Sequence, residues 1–148
     1  MAVPARLFFL VLAGVLAAAG ASADTIPDTA SKWGLLGTWR VDCSKQASWS
    51  DPDLRYVVRG DKLFHDREFG DRRDSNAVLS ATITPDNAIE LVIRFDMLSQ
   101  TRQWTYVKQS DGRIQAVSNR NVDNNEYTVR DGKYLANGNA TPLQSRCR

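Results

Sequence analysis

From Thr38 onward the chain is a succession of short segments in which apolar and polar residues alternate, with turn residues recurring about every ten positions. "TWRVDC" sets Trp39, Val41 and Cys43 against Thr38, Arg40 and Asp42, the period of two that a half-buried strand requires. "LRYVVR" groups Leu54, Tyr56 and Val58, and "KLFHDREF" follows after Gly60-Asp61. "AVLSATIT" puts Ala77, Leu79, Ala81 and Ile83 on one wall, and "AIELVIRFD" aligns Ile89, Leu91, Ile93 and Phe95. "TRQWTYVKQ", "RIQAVSN", "EYTVR" and "KYLA" complete the run, with Asp111-Gly112 and Asp131-Gly132 at turns. Asp-Gly between alternating segments is a strong hairpin signal. A long meander leaves two unpaired edges unless it closes on itself. The pattern therefore predicts an all-β fold, an antiparallel up-and-down β-barrel of about 8 strands. A polar lead-in, Asp24 to Ser31, precedes it, followed by a short helical turn through "KWGLL" that Thr29 or Ser31 would cap.

The first residues read differently. Arg6, an apolar run from Leu7 to Ala19 and the ending Ala21-Ser22-Ala23 match a secretory signal peptide. Residues 1–23 are thus expected to be removed, leaving 24–148 as a single β-barrel domain with no membrane span, periplasmic or secreted. The whole chain carries 19 Lys and Arg against 17 Asp and Glu, a net charge of +2, and loss of Arg6 lowers it further. Its basic residues are scattered, and Arg72-Arg73 is flanked by Asp71 and Asp74. Such a balance provides no long-range attraction to nucleic acid or an anionic membrane. The two cysteines, Cys43 and Cys147, match neither a redox CxxC nor a zinc site, and in an exported chain an even pair points to a disulfide.

Gly37-Thr38-Trp39, preceded by a short turn, resembles the calycin group of small barrels, the lipocalins and avidin-like proteins among them. The resemblance implies that Trp39 plugs the closed end of a barrel. It also implies a basic residue packed across the Trp39 ring, a role for Arg146 or Arg130. A leader followed by "LLGTWRVDCSK" and a Cys-containing tail is also similar to small periplasmic proteins of alphaproteobacteria.

No catalytic constellation is legible. There is no GxSxG and no Gly-rich phosphate loop. His65 is the one histidine, too few for a His-rich metal centre, so neither a metal nor a cofactor is expected. Two orientations of "FHDREF" remain open: with Leu63 and Phe69 inward, His65 and Arg67 join them, and with Phe64 inward His65 is exposed, the simpler of the two. Arg59-Gly60-Asp61 is explained as a turn, and Asp123-Asn124-Asn125-Glu126 lacks the spacing of a calcium loop. Asn139-Ala140-Thr141 matches a glycosylation sequon only for a eukaryotic pathway.

Aromatic residues carry the remaining signal. Trp104 and Tyr106 share one strand face. With Tyr56 and Arg67 they are expected to line a barrel mouth that binds a small apolar or amphipathic molecule, without catalysis. The alternative is a protein-interaction module, such as a secreted protease inhibitor or an envelope-complex subunit, docking through Trp49 in the polar loop "SKQASWSDPD".

Overall fold

The structure is a computed structural model that describes residues 23–148. Except for Ala23, the leader expected over residues 1–23 lies outside the described residues.

Helix α1 spans Ile26–Trp33. The Thr25 hydroxyl caps it by accepting from the Asp28 N–H at 3.2 Å, and Pro27 sits in the first turn, where its missing N–H leaves no bond unmade. Gly34 ends it in the left-handed conformation at φ 84°. The helix thus starts earlier than expected from a Thr29 or Ser31 cap, because Thr25 and Pro27 together supply a stronger start signal than either. Its Ala30 and Trp33, three residues apart, are both buried. Trp33 Nε1 donates to the Asn87 carbonyl at 2.8 Å, and Lys108 Nζ donates to the Trp33 carbonyl at 2.5 Å. These bonds hold α1 across one end of the sheet.

The strands are β1 (Gly37–Arg40), β2 (Asp53–Arg59), β3 (Lys62–Glu68), β4 (Arg73–Ile83), β5 (Ile89–Phe95) and β6 (Gln100–Lys108). After them come β7 (Ile114–Asn121), β8 (Tyr127–Arg130), β9 (Lys133–Tyr134) and β10 (Leu143–Cys147). From β1 to β7 each strand pairs antiparallel with the next, and β10 pairs with both β1 and β7. Those strands close an eight-stranded antiparallel barrel, the all-β fold that the alternation predicts. The β8–β9 hairpin extends from β7 outside the ring. Closure comes from the C-terminal tail, whose alternation is too short to mark it as a strand.

Strand β5 shows the expected pattern fully: Ile89, Leu91, Ile93 and Phe95 are all between 0% and 2% exposed. Strand β4 does not. A bulge between Val78 and Ser80 adds a residue, so Asn76 and Val78 face the core while Leu79 is 52% exposed. The single wall expected from Ala77, Leu79, Ala81 and Ile83 is therefore broken, because a bulge reverses which residues point inward. Strand β3 also takes the orientation that looked less simple. Leu63 and His65 are buried, and Phe64 lies outside beneath the Arg59 guanidinium, 5.0 Å from its ring centroid.

Cys43 and Cys147 are joined, with a Cα–Cα distance of 5.5 Å across a sequence separation of 104. The bridge ties the segment after β1 to its neighbour β10, where Cys147 is already paired with Thr38. Closing so long a loop restricts the unfolded chain, so reduction is expected to lower stability by about 2–4 kcal/mol. Denaturant melts with and without a thiol reductant measure this directly, and coincident curves would show that strand pairing alone secures the tail.

Candidate functional site

The two ends of the barrel differ. At the α1 end Trp39, Trp33, Leu35 and Ala30 join one packed cluster with the β5 residues. Away from that cluster lies a cavity of about 270 Å³. Its wall includes His65, Arg67, Phe95, Trp104, Tyr106, Ala116 and Gln144 from the barrel strands. Trp49 and Pro52 from the β1–β2 loop, Phe69, and Tyr134 of β9 form its rim.

The β1–β2 loop is held by a buried charge. Arg40, on the outer face of β1, is 6% exposed and lies under the loop. It donates to the Lys45 carbonyl at 2.5 Å and pairs with Asp53 at 3.1 Å and Asp51 at 3.5 Å. Asp51 in turn accepts from the Val41 and Asp42 amides at 2.9 and 3.0 Å. These contacts hold the loop that carries Trp49 at the cavity rim.

A continuous stack of rings and guanidinium groups runs from this rim into the core. Arg72 lies 4.6 Å from the Trp49 ring centroid, and Trp49 stacks on Phe69 at 4.6 Å. Arg67 follows, 5.2 Å from Phe69 and 4.7 Å from Phe95. Phe95 meets His65 edge-on at 6.0 Å, and His65 stacks on Tyr56 at 4.7 Å. Tyr56 meets Tyr106, and Tyr106 stacks on Trp104 at 5.8 Å. Such contacts fix ring orientation beyond simple area burial.

Charge at the cavity is internally compensated: Asp51 on its lining is paired with Arg40, and Arg67 is paired with Asp74. Arg67 donates through Nε to Asp74 at 2.9 Å and through Nη2 to the second oxygen. Burial opposes ionisation of Asp74, yet the Arg67 bonds and charge, with the Asn76 amide at 2.7 Å, hold its carboxyl below the usual range. Burial, helped by the Arg67 charge, pushes His65 down to about 3, so its imidazole is neutral. Burial also raises the Tyr106 hydroxyl to about 12 and Tyr56 well above its ordinary value. The Tyr56 and Tyr106 hydroxyls lie 3.3 Å apart.

Several buried polar atoms have no hydrogen-bond partner among the protein's own groups: Arg40 Nε, which meets Asp53 as an ion pair only, both ring nitrogens of His65, Trp104 Nε1 and Gln144 Oε1. Of these residues, His65, Trp104 and Gln144 line the cavity. An unmet buried donor or acceptor costs about 1–3 kcal/mol, so this concentration at one cavity is unusual. The arrangement can stack a ring and hydrogen-bond an uncharged group. Among the described residues no cluster of three His, Cys, Asp or Glu is placed to hold a metal ion.

Of the residues expected at the mouth, Arg67, Trp104 and Tyr106 line the cavity, whereas Tyr56 sits behind His65 and supports it. His65 joins the site in the inward orientation that looked less simple, and Gln144 joins it without a distinguishing sequence signal. At the closed end Arg146, not Arg130, lies against Trp39, 5.4 Å from its ring centroid, while Arg130 packs on Tyr127 at 4.1 Å. No family model, curated protein or solved structure matches the chain.

Proposed function

We propose that this protein is an exported, non-enzymatic β-barrel, calycin-like in its Gly37-Thr38-Trp39 closure, that binds a small molecule at its open end. The observation that carries this reading is the cavity of about 270 Å³, walled by stacked aromatics and by buried polar atoms without protein partners. Its size falls just below the usual range for drug-sized ligands and suits a compact molecule. The Cys43–Cys147 bridge supports an oxidising compartment, periplasmic or extracellular. Among the described residues no helix is long and apolar enough to cross a membrane.

Ala116 lines the cavity and packs against the core, so a larger side chain there fills the space from within. Protein isolated from its own host, then extracted with organic solvent, is expected to release a compound that Ala116→Phe protein does not release. The variant's melting temperature, unchanged or raised, shows that the barrel is intact. Equal recovery from both proteins would place the compound elsewhere and overturn the reading.

A second reading rests on the rim. Trp49 is 56% exposed despite its stacking, and Met97 and Leu98 beside it are 60% and 52% exposed. Such a patch supports docking of a protein partner, as an inhibitor or envelope-complex subunit would require. Loss of partner capture in Trp49→Ala, with compound recovery intact, would favour it.

A further inference from the structure

The ligand's chemistry can be narrowed from the atoms that the fold leaves unmet, resting on the reading that the cavity is a ligand site. Trp104 Nε1 is a donor only and Gln144 Oε1 an acceptor only, and both are buried without a protein partner at the same cavity. The neutral His65 ring adds one donor and one acceptor of its own, also unmet. A purely apolar occupant leaves all of these unsatisfied. A charged occupant finds no free counter-charge at the cavity, because Arg67 is paired with Asp74 in two hydrogen bonds and Asp51 is held by Arg40 and by the Val41 and Asp42 amides. One wall is flat: Trp104 and Tyr106 lie within 11° of parallel, and Phe95 and His65 add two more rings, set at 90° to each other.

We infer that the occupant is an uncharged planar ring carrying a hydrogen-bond acceptor and a donor on one edge, as in a lactam or cyclic imide. Its carbonyl accepts from Trp104 Nε1 or the His65 N–H, and its N–H donates to Gln144 Oε1 or the free imidazole nitrogen. The ring slides against Trp104 and Tyr106. Aliphatic chains, carboxylates and amines are disfavoured.

Four probes of similar size separate these chemistries: 2-pyridone, toluene, benzoate and benzylammonium. Calorimetric titration of the full chain is expected to rank 2-pyridone first by about tenfold or more, the scale of an unmet buried polar group. Gln144→Leu keeps the chain volume while removing the acceptor, and Trp104→Phe keeps an aromatic face, a smaller one, while removing the donor. Each is expected to weaken 2-pyridone about tenfold and to leave toluene unchanged or tighter. If toluene binds as tightly as 2-pyridone to the unaltered protein, the polar assignment is overturned while the cavity remains a ligand site. Tightest binding of benzoate or benzylammonium would overturn it in the same way. If none of the four binds and the extracted protein carries no compound, the unmet atoms are served by water, and both this assignment and the reading beneath it fail.

Discussion

Trp39→Ala is expected to lower stability by about 3–5 kcal/mol, the range for truncating a buried Trp. The residue is 2% exposed at the closed end, and its Nε1 donates to the Leu35 carbonyl at 2.7 Å. Arg146 crosses the ring and donates to the Gly34 and Leu36 carbonyls at 2.8 and 2.5 Å. One side chain therefore ties the helix exit, the first strand and the last strand together. Gly37 makes room for this arrangement. At φ 123° it occupies backbone space that side chains avoid, and a Cβ there would come within 3.3 Å of Arg146 Nε. Trp39→Phe, which keeps a ring but loses the indole N–H, is expected to retain more than half of the lost stability. Chemical denaturation measures both, and an unchanged midpoint in Trp39→Ala would remove Trp39 from its role as the plug.

Acid is expected to destabilise the protein through His65. In an unfolded chain a histidine takes up a proton near pH 6.5, whereas burial holds His65 neutral down to about 3. Between those values the unfolded state binds more protons than the folded state. Stability is therefore fully present above pH 6.5 and falls as the pH drops toward 3. The whole interval is worth on the order of 5 kcal/mol. Asp74, held below the usual carboxylate range, adds a loss of the same sign at the acid end of the window. His65→Phe preserves a ring to stack on Tyr56 and removes the titrating group. Its stability is expected to be flat from pH 7 to pH 5, and at pH 7 no lower than that of the unaltered protein, since the His65 nitrogens make no protein bond to lose. An unaltered protein whose stability is equally flat over that interval would show that His65 reaches solvent protons freely.

The barrel was legible because most of its strands obey local rules. Ile89 to Phe95 alternate without interruption, and Gly60, Gly112 and Gly132 take positive φ at turns where the sequence marks them. What escaped was set by non-local events. The bulge at Val78 to Ser80 has no residue signature and reverses the face of Leu79. For β3 both phases are chemically acceptable by pattern alone, since Phe64 is covered outside by Arg59 and His65 is covered inside by Tyr56. Gln144 reaches the cavity only because β10 bridges β7 and β1, the latter pairing joining chain ends more than a hundred residues apart in sequence. Trp104 and Tyr106 were visible as a shared face. Their unmet donor, and the stack that begins at Trp49, depend on the closed ring.

Native mass spectrometry of the intact protein from its own host tests the central claim, that the open end of this barrel holds a small molecule. The expected spectrum shows the disulfide-bonded chain with one non-covalent adduct of a few hundred daltons or less, on the scale of the smallest ligand cavities. The adduct should be shed on denaturation and be absent from Ala116→Phe. A spectrum of the bare chain in the unaltered protein, or an adduct that persists in Ala116→Phe, would contradict the account.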